Sequence, residues 1–285
     1  MAYSFHPMES PMFRTPARIA CLALTLLVAS AAGAAEKDSS TNAPPADEHS
    51  AEDSKSYNWG LGVAGMSQQQ VYTGIDRNNM AIPLIYFENR WVQLFGPWLD
   101  LKLSDIELGE DRSLSFALRT QLFGFDGYKA KDAPILNGMA QRKSGIFAGP
   151  SVKWSNPIVD VFGEWSFDAS GNSKGQRINI GLERQFHVGE RLMFTPGVTA
   201  SWLDKKYADY YYGVRSAEAR SGRPAYIADR TMNTEFSLRT DYLLDQHQAV
   251  FLQLGYTVLG SEIKDSPLTD RSGETMALLG YLYRF

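Results

Sequence analysis

The sequence predicts an all-β protein: a transmembrane antiparallel up-and-down β-barrel, preceded by a cleaved signal peptide and a disordered tail. Three observations carry the prediction. The first apolar run is short, follows two arginines and ends in small residues. From residue 57 onward, segments of about ten residues alternate between apolar and polar side chains, with turn residues between them. The last residues place Tyr281, Tyr283 and Phe285 on one face of a strand.

Residues 1–35 read as the signal peptide. Arg14 and Arg18 form the positive region, and 19–29 is an apolar stretch too short to span a bilayer. Ala32 and Ala34 form an A-x-A site, so cleavage is expected after Ala34, with Ala35 as the alternative. Cys21 lies inside the apolar run, not at its end, which argues against a lipid anchor. It is the only cysteine of the chain, so no intramolecular disulfide can form. Residues 36–56 contain no aromatic side chain and almost no large apolar one. They cannot bury enough surface to offset their chain entropy, and we expect a disordered periplasmic linker.

The barrel is expected over 57–285. Aromatics make up 12% of the 285 residues, and the mean hydropathy of −0.27 is low for a bundle of membrane helices. The net charge of −4 provides no basic stripe for nucleic acid. Strands are expected at 57–66, 80–88, 113–122, 145–154, 157–168, 175–186, 191–203, 231–243, 248–259 and 274–285. The clearest is 231–243: Met232, Thr234, Phe236, Leu238, Thr240 and Tyr242 lie on one face, Asn233, Glu235, Ser237, Arg239 and Asp241 on the other. The stretch 91–106 contains Gly96-Pro97, where proline removes a ladder donor and favours a turn. Read as two strands it brings the total to twelve. An irregular segment there leaves ten, the alternative. Twelve sends the short turns at 88–90, 109–110, 155–156, 187–189 and 244–246 to one side, the periplasm, and the long loops 67–79, 123–144, 204–230 and 260–273 to the other. A soluble sandwich also alternates; the signal peptide and the aromatic C-terminus decide for the membrane.

The inward charges Arg119, Asp160, Glu164, Arg177, Glu183, Glu235, Arg239 and Asp241 mix both signs. A narrow barrel must satisfy them by mutual pairing or by water, which leaves two readings, a salt-bridged and mostly plugged lumen or a small polar pore. An outer-surface enzyme needs a base near the outer rim, yet His187 and His247 fall in turns assigned to the periplasm. We therefore expect no catalytic residues, no metal and no cofactor.

Several motifs carry a family resemblance. Trp59-Gly60-Leu61-Gly62, Tyr72-Thr73-Gly74-Ile75-Asp76 and Ile82-Pro83-Leu84-Ile85 resemble the opening of the MipA/OmpV family of outer-membrane proteins. The longest match runs from Trp202-Leu203-Asp204 through Tyr210-Tyr211-Tyr212-Gly213-Val214 to Gly222-Arg223-Pro224-Ala225-Tyr226, and Asp265-Ser266-Pro267 follows. The stretch 123–144 carries little of the pattern. The resemblance implies location in the outer membrane of a Gram-negative bacterium. It also implies a non-enzymatic scaffold linking a murein lytic transglycosylase to a bifunctional penicillin-binding protein; other members are implicated in adhesion or permeability. No binding residue carries over from it. The residues themselves nominate one candidate interaction loop: Tyr207, Tyr210, Tyr211 and Tyr212, with Arg215, Arg220 and Arg223. Its rings either form an aromatic girdle with a loop folded over the mouth, or a ligand-recognition surface. Arg215, Glu218, Arg220 and Arg223 either form a solvated charged loop, the default reading, or pair with each other or with anionic lipopolysaccharide.

Overall fold

A computed structural model describes residues 57–124 and 126–285. The signal peptide and linker expected over 1–56 lie outside the described residues. The strands are β1 (Asn58–Gln69), β2 (Arg77–Glu88), β3 (Val92–Phe95), β4 (Trp98–Glu107), β5 (Ser113–Gln121), β6 (Phe147–Ser155), β7 (Asp160–Asp168), β8 (Gln176–Glu183), β9 (Phe186–Val188), β10 (Leu192–Leu203), β11 (Thr231–Leu243), β12 (Gln248–Val258) and β13 (Gly273–Arg284). Each pairs antiparallel with its neighbour, β13 pairs with β1, and β10 pairs with β11, so the sheet closes on itself. β8 and β9 both lie on β10 in one register, with Leu182 opposite Val198 and His187 opposite Met193. They are two parts of one stave, interrupted where Arg184 meets Pro196, which has no N–H to return. The barrel therefore has twelve staves.

Gly96-Pro97 makes the β3–β4 turn. Gly96 takes φ +54°, and a glycine at positive φ followed by proline suits a tight hairpin. Several boundaries differ from the expected ones. β1 and β2 run further out, to Gln69 and from Arg77, because Ser67 and Arg77 hydrogen-bond across the pair at 2.8 Å and Ser67 donates to Asn79 at 2.6 Å. Polar residues thus continue the ladder beyond the apolar band. β7 starts later, at Asp160, because the Asn156 side chain accepts from the N–H groups of Ile158 and Val159 and holds a turn there.

The outward face is apolar and exposed: Leu61, Val63, Ile85, Leu101, Leu118, Ile180, Phe236, Leu238, Leu254 and Leu279 all point away from the lumen. Water would not tolerate so continuous a surface; lipid favours it. No helix among the described residues is long and apolar enough to cross a membrane, so the strands do the crossing. Trp59, Trp91, Trp154 and Tyr242 lie near the short-turn end of this face, where amphipathic rings anchor a barrel at the interface. At the seam, Phe285 stacks on Trp59 with centroids 3.9 Å apart, and its N–H donates to the Trp59 carbonyl at 2.9 Å.

The lumen has two halves. On β12, β13, β1, β2 and β3 the inward side chains are mainly apolar, and Phe251, Phe95 and Tyr86 make edge contacts at 6.2 and 6.3 Å. The Phe251 ring fills the space over Gly280, as Phe162 does over Gly181 on the opposite wall; a Cβ at either glycine would come within 2.2 Å of the ring. From β4 to β8 and on β11 the inward residues are mainly polar or charged, and many of the charges pair. Arg119 holds Asp100 with two hydrogen bonds of 2.8 and 2.7 Å. Lys153 meets Asp160 at 2.7 Å and Glu183 at 3.3 Å, Lys102 pairs with Glu88, and Arg239 pairs with Asp241 at 2.6 Å.

Candidate functional site

The candidate loop forms a lid over the end of the barrel that carries the long loops. The stretch 204–230 opens with a helix, α1 (Lys205–Tyr212). Asp204 caps it: its carboxylate accepts from the Tyr207 N–H at 2.8 Å, satisfying one of the free donors of the first turn. The helix ends at Gly213, whose N–H returns to the Asp209 carbonyl at 3.0 Å. Tyr207 and Tyr211, four residues apart, share one face and point inward with Ala208 and Tyr212.

That face meets side chains from the other long loops. Val71 and Tyr72 come from the β1–β2 loop, Leu136 and Met139 from the β5–β6 loop, Leu259, Ile263 and Leu268 from the β12–β13 loop. Ile263 belongs to a second short helix, α2 (Ser261–Lys264). With Phe147 and Leu203 at the wall they make one apolar cluster. Hydrogen bonds stitch the loops together. Tyr72 donates to the Tyr211 carbonyl at 3.2 Å, Ser266 to the Tyr212 carbonyl at 2.7 Å, and Tyr211 to the Lys143 carbonyl at 3.2 Å. Burial pushes the Tyr72, Tyr207, Tyr211 and Tyr212 hydroxyls well above their ordinary range, so they remain donors. Tyr128, also mainly through burial, is pushed up to about 12.

The lid's polar core is an Arg142–Glu218 pair, 2.9 Å apart and almost wholly buried. Arg142 also donates to the Tyr210 carbonyl at 2.7 Å and the Ala140 carbonyl at 2.9 Å. Glu218 accepts from the N–H groups of Ala140 at 3.0 Å and Arg215 at 3.1 Å. Burial alone would raise the Glu218 carboxyl, but Arg142 and these two amides hold it below the usual carboxylate range. Arg223, 1% exposed, donates to the carbonyls of Asn137, Ile135 and Glu218 and so ties 204–230 to 123–144.

All seven nominated residues lie in this lid. Tyr207, Tyr211, Tyr212 and Arg223 are buried inside it, Tyr210 is half-buried, and Arg215 and Arg220 face outward. The buried rings face one another: Tyr207 and Tyr211 lie 4.8 Å apart. Arg142 was not nominated. It belongs to 123–144, which carried little family pattern, and the available signal was Ile135, Leu136 and Met139, apolar residues without strand alternation in a polar loop. His187 lies in exposed β9, and His247 stacks on Tyr283 at 6.0 Å; both are at the short-turn end, away from the lid. Among the described residues no group of three or more His, Cys, Asp or Glu side chains could hold a metal ion.

The family model for MltA-interacting protein MipA matches residues 61–285. The outer membrane protein YiaT of Escherichia coli (strain K12) is 28% identical over 226 residues, covering 79% of this chain and 90% of that one. MltA-interacting protein of Escherichia coli (strain K12) is 26% identical over 277 residues, 94% of this chain and 99% of that one. Outer membrane protein OmpV of Vibrio cholerae is 23% identical, covering 55% and 61%. Among solved structures, the NanC porin superposes with a TM-score of 0.44 at 12% identity, over 78% of this chain and 98% of that one. Lipid-facing staves, a lid of long loops and relatives named as outer-membrane proteins agree on the location, the outer membrane. With its barrel matched by the family model from Leu61 to Phe285, the chain belongs to the MltA-interacting protein MipA family.

Proposed function

We propose that this barrel is a non-enzymatic scaffold, which holds a murein lytic transglycosylase and a bifunctional penicillin-binding protein together at the outer membrane. The observation that carries the reading is the closed mouth. A lid with its own apolar core and a buried ion pair covers a lumen whose charges are largely spent on each other. Such a barrel suits an anchor better than an open pore, and one relative is named for interaction with MltA. The short-turn end is the side for partners: Leu108, Ile158 and Val188 leave apolar surface exposed there, and Ile158 is 81% exposed. Arg215 and Arg220 remain at the outer surface, where lipopolysaccharide is the anionic neighbour.

Crosslinking in intact cells followed by affinity purification tests the scaffold. The expected result is recovery of both murein enzymes, reduced several-fold by Ile158→Asp. Recovery of neither enzyme sinks the reading.

A further inference from the structure

Immediately beneath the lid, on the inner faces of β7 and β8, Glu164 stands opposite Asn179 and Ser166 opposite Arg177. All four are buried. Arg177 spends Nη2 on Gln121, 2.7 Å away, and lays its guanidinium over the Phe147 ring at 3.9 Å and near the Tyr207 ring at 5.9 Å. Among the described residues, its Nε and Nη1 have no hydrogen-bond partner. Neither do Glu164 Oε2, Ser166 Oγ and Asn179 Nδ2.

Enclosed polar atoms without a protein partner are costly to keep dry. Here they cluster in one layer. Deeper in the lumen Arg119 and Lys153 are well paired, and above it the lid's Arg142 and Glu218 are satisfied. The layer without partners is the one on which the lid rests: Tyr207 belongs to α1, and its ring reaches Arg177 and packs on Phe147 at 5.7 Å. Closing the lid therefore gains an apolar cluster and dehydrates this floor. Lifting it loses the cluster and rehydrates the floor. Opposed contributions of this kind bring two states close together in free energy.

We propose that the lid is a gate, resting closed on an under-satisfied polar floor, and that lifting it opens a path for small hydrophilic ions along the charged half of the lumen. Acidic side chains outnumber basic ones along that half, so the path favours cations. This goes beyond the scaffold reading and does not depend on it.

The test uses the full-length protein in planar lipid bilayers, with folding checked by heat-modifiable gel migration. Hydrogen exchange of the α1 amides follows the lid. Wild type is expected to open rarely. Glu218→Gln, which unlatches Arg142, is expected to raise the open fraction about tenfold, with discrete cation-preferring steps and faster α1 exchange. Asn179→Leu removes one floor group without a partner. It is expected to slow α1 exchange and suppress openings, including in the Glu218→Gln background. Two results overturn the gate: barrels that stay silent while Glu218→Gln speeds α1 exchange, or an Asn179→Leu that speeds it.

Discussion

Around β12, β13, β1, β2 and β3, Phe251, Leu278, Leu282, Met66, Leu84 and Phe95 point into the lumen and are buried. Across it, Asp100, Arg119, Lys153, Asp160, Glu183 and Asp241 point in, and they pair. The same closed sheet thus fills its interior in two ways. One side behaves as a small apolar core laid against the wall. The other satisfies charge with charge, which leaves more room for water and movement. Arg239 marks the boundary: it pairs with Asp241 on its own strand and lies over the Phe251 ring at 4.5 Å.

The largest expected effect tests the apolar half. Phe251→Ala removes a ring that is 2% exposed, uncovers Gly280 and should destabilise the barrel by about 3–5 kcal/mol, read from urea unfolding in lipid vesicles. A cost below about 1 kcal/mol would mean that this side is not packed as a core. The charged half should answer differently. Arg239→Met strands Asp241 and should cost about 3 kcal/mol, whereas adding Asp241→Leu should restore stability to within about 1 kcal/mol of wild type. A double variant as unstable as the single one would break the contrast between the halves.

The smallest effect concerns the lid. The Glu218 carboxyl titrates lower in the folded protein than in an unfolded chain. Its contribution is therefore complete above the ordinary glutamate range and fades as the pH falls through the lower, folded value. Protection of the α1 amides, corrected for the intrinsic exchange rate at each pH, should be full at neutral pH and fall once the pH drops below the ordinary glutamate range, while the β1 and β13 amides stay protected. Equal loss of protection in lid and wall would show that acid acts on the whole barrel.

The same contrast explains what could be read from the sequence. Where the lumen is charged, alternation exposes the strand at once: Glu235, Ser237, Arg239 and Asp241 interleave with Phe236, Leu238 and Tyr242. Where the lumen is packed, both faces are apolar, and Met80 to Phe87 reads as one greasy run without a period. The Gly96-Pro97 turn and the number of staves were legible because turn chemistry and parity are local constraints. That half the lumen is apolar was not, because it depends on which distant strands face each other. The lid divides in the same way. Its tyrosines and arginines were visible as a cluster, but α1 was read as loop, and the burial of Tyr211 requires Tyr72, Lys143 and Ile263 from three separate loops. Arg142, the partner of Glu218, lies 76 positions away in sequence.

The stacked rings of Trp59 and Phe285 carry a consequence for assembly. They clasp the first stave to the last at the end of the β1–β13 ladder, and until that seam forms the sheet keeps two raw margins. Inside a bilayer those margins have no water to bind, and the half-built sheet has no comfortable resting state. Joining segments so remote in the chain is also the costliest loop to close. Completion of the cylinder should therefore be the slow, cooperative step. Trp59→Ala should delay it far more than it weakens the finished wall.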